Sequence, residues 1–272
     1  MFRAHSRTES RAPGAANRPV LNKVPEVVLL FWVVKIMSTT IGETAADFLD
    51  VNAGLGLTNT SLIMAALLTC VLVVQLRLRR YVPAAYWLAV ILVSIVGTLI
   101  TDNLVENAGV SLWTTTIAFS TALALTFSAW FRSERTLSIH TIVTRRRESF
   151  YWLSILFAFA LGTSASDMVA EKLTPGHLTS AGIFGILIAL IAVAHWLGGL
   201  DAVLSFWTAY ILTRPFGASI GDVLTAPSGN GGLGLGRYLT SAGFLVVVVG
   251  AVVWFTLEER RSGDAPTAVA GS

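Results

Sequence analysis

Four aspartates recur at a fixed distance from an aromatic-Trp pair. The sets are Phe31-Trp32, Gly42, Asp47; Tyr86-Trp87, Gly97, Asp102; Tyr151-Trp152, Gly162, Asp167; and Phe206-Trp207, Gly217, Asp222. On a helix, the residue four before each Asp shares its face. Those residues are Glu43, Thr98, Thr163 and Ala218, and Asp50, Glu106 and Glu171 follow one turn beyond the first three aspartates. Oxygen-rich faces of this kind suit hard cations such as magnesium, calcium or manganese. The expected ion- or substrate-binding set is therefore Asp47, Asp102, Asp167, Asp222, Glu43, Thr98, Thr163, Glu106 and Glu171, with the four aspartates as metal ligands. Lys35 and Arg214 fall inside apolar stretches and are the expected counter-charges. Arg214 precedes Pro215, whose missing N–H weakens a helix there. A gate and a static ion pair are equally open for Arg214. The competing reading of the whole pattern is structural. In it the acids cap outer helix ends at headgroup level, the Trp residues form an interfacial belt and the glycines only permit tight packing.

The elements that must carry these residues are long and apolar. The chain of 272 residues is 54% apolar and 13% charged, whereas a soluble domain carries nearer a quarter charged residues. Eight hydrophobic segments run over about 25–49, 60–76, 82–105, 111–131, 150–170, 178–197, 200–224 and 237–257. Each approaches the roughly 20 residues needed to cross a bilayer. Beta-barrel strands are excluded by segment length and by the lack of period-two alternation. The predicted fold is an all-α integral membrane protein of about eight transmembrane helices. Predicted boundaries are a disordered cytoplasmic tail over 1–22, a membrane domain over 23–258 and a cytoplasmic tail over 259–272. The first apolar segment is read as a retained helix, not a cleaved signal peptide. The lone Cys70 is expected as a small buried apolar residue.

Successive repeat glycines lie 55, 65 and 55 residues apart, so an offset of 120 relates the first two units to the last two. The repeats are placed at about 23–80, 81–140, 146–198 and 199–258. Each holds two spans, so all four enter the membrane in one direction, around a pseudo-symmetry axis along its normal. Counting from a Trp at the cytoplasmic interface, each Gly lies about 15 Å deep and each Asp about 22 Å deep. A carboxylate at that depth is costly and is expected to face a bundle interior. Helices 1, 3, 5 and 7 are then the inner ones.

Of the 19 basic residues, 15 fall in the two tails and in the loops after the second and fourth segments, against Lys172 and Arg237 on the other side. The positive-inside rule then places both termini in the cytoplasm. The Gly229, Gly231, Gly234 match to a dinucleotide fingerprint follows no strand and carries no weight. His195 is read as interfacial, and His177, near Glu171, as an additional outer ligand only in a minority reading.

The four-copy pattern, with the stretches Gly42-Glu43-Thr44-Ala45-Ala46-Asp47 and Thr213-Arg214-Pro215-Phe216-Gly217-Ala218-Ser219, resembles a bacterial family. That family is the "membrane-anchored protein" group built from a repeat of unknown function. The resemblance covers about Lys23 to Leu257 and implies a bacterial inner (plasma) membrane location, but no mechanism.

The function expected from the residues is transport of a cation, with a divalent metal ion and proton exchange as the sharper form. The alternatives are a carrier of a small organic solute and a non-transporting membrane scaffold or assembly factor. No nucleophile arrangement is visible, so no enzyme is expected. No cofactor is expected beyond a divalent metal ion as substrate. Membrane lipid and a small ion or solute are the expected partners, nucleic acid is not, and homo-oligomerisation is left open.

Overall fold

A computed structural model describes residues 22–173, 176–227 and 232–263. Among them the chain is helical without strands. The helices are α1 (Leu29–Asp47), α2 (Leu57–Arg77), α3 (Pro83–Asp102), α4 (Leu112–Glu134), α5 (Arg145–Met168), α6 (His177–Gly198), α7 (Ala202–Thr225) and α8 (Arg237–Gly263). The four arginines of the expected N-terminal tail, Gly229 and Gly231 of the loop motif, and 264–272 lie outside the described residues. The last helix outruns the segment read for it and continues to Gly263.

Helix ends follow local chemistry. Pro83 starts α3, where its missing N–H costs nothing. The side chains of Ser111, Thr144 and Asp201 cap α4, α5 and α7 by accepting first-turn backbone N–H groups. Gly199, at φ 69°, ends α6 and turns the Leu197-Gly198-Gly199-Leu200 hairpin. The ends of α1, α3 and α5 differ. Beyond each repeat aspartate the chain widens into a π-helical turn, at Phe48–Asn52, Asn103–Asn107 and Val169–Leu173. The fourth unit, which lacks the outer acid, ends in plain α-helix at Thr225.

The odd helices form a closed inner ring in the order α1, α3, α5, α7 and back to α1. The repeat glycines let them close. A Cβ on Gly42 would overlap Ser94 of α3, and one on Gly97 would overlap Phe159 of α5. One on Gly162 would overlap Arg214 of α7, and one on Gly217 would overlap Thr39 of α1. Each glycine thus receives the next inner helix, as small residues do where helices approach closely. Hydroxyls bond across the same seams, from Thr40 to the Gly217 carbonyl (2.9 Å) and from Thr101 to the Ala160 carbonyl (3.0 Å).

The even helices lie outside, and each packs on the inner helix of the following unit: α2 on α3, α4 on α5, α6 on α7 and α8 on α1. The covalent repeat is therefore not the packing unit. Each unit lends its second helix to its neighbour, and α8 closes the circle. Outer faces are apolar, with Leu62, Ile117, Leu187 and Val246 exposed. Cys70 is exposed on α2, contrary to the expectation of burial, because α2 is an outer helix.

Seven of the eight helices are long and apolar enough to cross a membrane. The exception is α7, 24 residues long but interrupted by Arg214, Pro215 and Asp222. Of the about eight spans expected, seven meet that measure and α7 is the helix that does not. Packed against α1, α5, α6 and α8, this helix tolerates polarity that an outer helix would not.

Candidate functional site

The aromatic-Trp pairs mark one end of the ring and the aspartates the other. At the Trp end, Phe31, Tyr86, Tyr151 and Phe206 turn inward and are buried. The Tyr86 and Tyr151 hydroxyls lie 2.6 Å apart, and the rings of Phe31 and Phe206 lie 6.3 Å apart. These four side chains fill the axis. The adjoining tryptophans are not a surface belt: Trp87, Trp152 and Trp207 are buried between the inner and outer layers. Their burial follows from the two-layer packing, which sequence spacing alone does not reveal. Trp207 also donates its indole N–H to the Leu137 carbonyl at 2.9 Å, fixing the α4–α5 connection over α7.

Arg214 occupies the middle of the ring and is fully buried. Its Nη2 lies 2.7 Å from Glu43 Oε2 and 2.8 Å from Thr163 Oγ1, and it also bonds Thr98 Oγ1. Its Nη1 donates to the Thr39 carbonyl at 3.1 Å. Thr98 in turn donates to Glu43 at 3.1 Å. Glu43, Thr98 and Thr163 occupy the same repeat position, four residues before the aspartate. The fourth unit has Ala218 there, and its contribution comes from Arg214 one turn earlier. One guanidinium from α7 is thereby held by α1, α3 and α5 together. The helix runs on past Pro215.

Lys35 is buried between this cluster and the aromatic plug. Its ammonium donates to Thr213 Oγ1 (2.8 Å) and to the Tyr210 carbonyl (3.2 Å), and lies 4.0 Å from the centre of the Tyr210 ring. Neither bond is to a carboxylate. The expected counter-charges thus separate. Arg214 pairs with Glu43 across helices, whereas Lys35 is held by neutral groups.

The four aspartates sit one turn beyond the cluster, half-buried. His177 Nδ1 lies 3.0 Å from Asp222 Oδ2. Glu106 and Glu171 stand exposed at the rim, and Glu171 is 3.9 Å from Lys172. The aspartates do not converge into a metal cage. Among the described residues no group of three or more His, Cys, Asp or Glu side chains gathers closely enough to hold a metal ion. Each aspartate stands on a separate helix, and the axis beneath them holds a guanidinium. The arrangement is a set of half-buried carboxylates with a buried guanidinium beneath it.

Two features escaped sequence reasoning. Glu148, counted with a polar loop, lies in the first turn of α5 and is buried. It accepts from Lys23 Nζ at 2.5 Å and from Gln75 Nε2 at 3.2 Å, tying the start of the described chain to α2 and α5. The neighbouring Arg145-Arg146-Arg147 run hid it. The Tyr86–Tyr151 bond was legible only as a repeated aromatic position. His195 is placed as a structural residue, with Nδ1 2.9 Å from the Leu200 carbonyl and 3.2 Å from Ser205 Oγ.

A polar, ion-paired axis inside a ring of apolar helices defines a helical bundle of internal repeats. The chain belongs to the family of the Repeat of Unknown Function DUF347, whose model matches four times, at 30–81, 85–136, 150–198 and 205–261. No curated protein and no solved structure matches the chain.

Proposed function

We propose that the chain is a multi-pass protein of the bacterial inner membrane, with eight spans and both termini cytoplasmic, and that it transports a cation through the centre of its ring. The observation that carries this reading is the imbalance around the axis. Five carboxylates, on Glu43, Asp47, Asp102, Asp167 and Asp222, stand in and just beyond the middle of the ring, against three basic side chains, of which Arg214 bonds Glu43, His177 faces Asp222 and Lys35 bonds neutral groups. Intramembrane acids facing a bundle interior characteristically mark ion pathways.

The residues suggest a division of labour. The four aspartates draw a cation in from the outer side. Glu43 is held by Arg214 in its absence, so an arriving cation competes with the guanidinium for that carboxylate. The aromatic plug of Phe31, Tyr86, Tyr151 and Phe206 closes the path toward the cytoplasm. Divalent metal ions fall within this substrate class, in exchange for protons, because carboxylates release protons on metal binding and bind metal less well as pH falls.

Uptake of manganese, magnesium, calcium and sodium isotopes into vesicles carrying the purified protein tests the reading. Saturable uptake of one of them, lost in Asp102→Asn, supports it, and none above protein-free vesicles refutes it. A second reading rests on Lys35. A buried ammonium without a carboxylate is costly, which favours an anionic organic solute carried against Lys35. Competition by organic acids with uptake separates the two. A scaffold that transports nothing would show neither.

A further inference from the structure

The four repeats do not seal equally. Trp207 is covered by Phe127 and Trp130 of α4, at 4.9 and 5.8 Å between ring centres. Trp87 is stacked by Phe255 of α8 at 6.2 Å. Trp152 is buried on α5, which α2 reaches. Of the four repeat tryptophans, Trp32 is the one left half-buried. Beside it a cavity of about 640 Å³ opens between α1 and α6 over α7. Where α4 supplies Phe127 and Trp130, the α6 wall offers Ala192 and His195. The volume is in the range of ligand pockets.

Position and lining identify the occupant. The walls are mostly apolar, with His195, Ser205 and Thr213 the polar residues between the helices, and no carboxylate is among the lining residues. Leu29, Trp196 and Leu204, at the flanks, are among the exposed apolar residues of the helical surface. His140 and Ser138, from the α4–α5 connection, stand at the Trp end. His195, Ser205 and Thr213 are hydrogen-bonded within the protein, so a hydrated solute would lose its water there for few replacement partners, whereas a hydrocarbon chain would lose nothing.

We propose that this cavity is a binding site for one acyl chain of a bilayer phospholipid, entering between α1 and α6 from the cytoplasmic leaflet with its headgroup beside His140. The inference rests on the membrane reading above. The chain would lie against Trp32, Ile36 and Phe206, directly behind the aromatic plug.

The test places the full-length protein in phosphatidylglycerol vesicles doped with a phospholipid bearing a photoreactive diazirine at its acyl end. Labelled residues are located by peptide mass spectrometry. The proposal expects severalfold denser labelling at Trp32, Ile36 and Ala209 than at the outward Leu62 and Leu187. That excess disappears in Ala192→Phe and in Ala209→Phe, which fill the cavity from α6 and from α7, while outward labelling persists. Equal density at both sets, or an excess unchanged in both variants, overturns the site and leaves the membrane reading standing. No labelling anywhere overturns both. Disulfide linkage of Leu29→Cys in one copy to Ile191→Cys in another would show a second copy of the chain in the cavity and also overturns the proposal.

Discussion

Arg214 Nη2 lies 2.7 Å from Glu43 Oε2, joining the last inner helix to the first. The two residues are 171 positions apart, and both are buried. Removing one partner of such a pair strands a buried charge and costs about 3–5 kcal/mol. Arg214→Gln and Glu43→Gln should each lower the thermal unfolding midpoint in detergent markedly. The double variant should recover part of the loss, because two neutral amides bury without a stranded charge. Additive losses in the double variant would contradict the pair.

The repeat glycines separate packing from conformational freedom. Gly42→Ala and Gly162→Ala place a methyl group on Ser94 and on Arg214, and should destabilise the ring. A Cβ at Gly243 or Gly250 on α8 meets open space. Alanine there should be neutral or stabilising, since it exceeds glycine in helix propensity by about 1 kcal/mol. Unfolding midpoints of the four variants check the order.

Lys23 and Glu148 give a second contrast. Their ion pair is buried, with side-chain exposures of 6% and 1%, whereas Arg146 beside Glu134 is 68% exposed. Glu148→Gln should destabilise strongly, and Arg146→Gln should cost about 0–1 kcal/mol. Chemical denaturation in detergent measures both. Equal effects would contradict the burial of Glu148.

The proposed membrane topology rests on the positions of Lys and Arg. Reporter domains fused after Asn52 and Leu235 should be periplasmic, and one after Arg135 cytoplasmic. Cytoplasmic activity at either of the first two would contradict the orientation.

Much of the architecture was legible because the repeat is regular. Trp, Gly and Asp at constant spacing marked four like helices, and the depth of their carboxylates marked those helices as the inner layer. Pairwise geometry was not legible. Spacing set Lys35 eight residues before Glu43 and Arg214 eight before Asp222, but the structural bond runs from Arg214 to Glu43 across the ring. Sequence gives depth along a helix, whereas partners on other helices depend on rotation and on ring order. The same limit hid the burial of Trp87, Trp152 and Trp207, since periodicity does not say which outer helix covers which inner one. It also hid that a guanidinium, not four carboxylates, occupies the centre.

Cation uptake by Asp→Asn variants at Asp47, Asp102, Asp167 and Asp222 in reconstituted vesicles tests the central claim most directly, because Asn keeps the shape and removes one charge. Wild-type protein should accumulate a cation, and each variant should fold and insert but lose most of the flux. The 120-residue offset adds a grading, with Asp47 and Asp167 alike and Asp102 and Asp222 alike. Wild-type binding and flux in all four variants, with changes confined to expression or unfolding midpoint, would show that the acids are structural and would contradict the account.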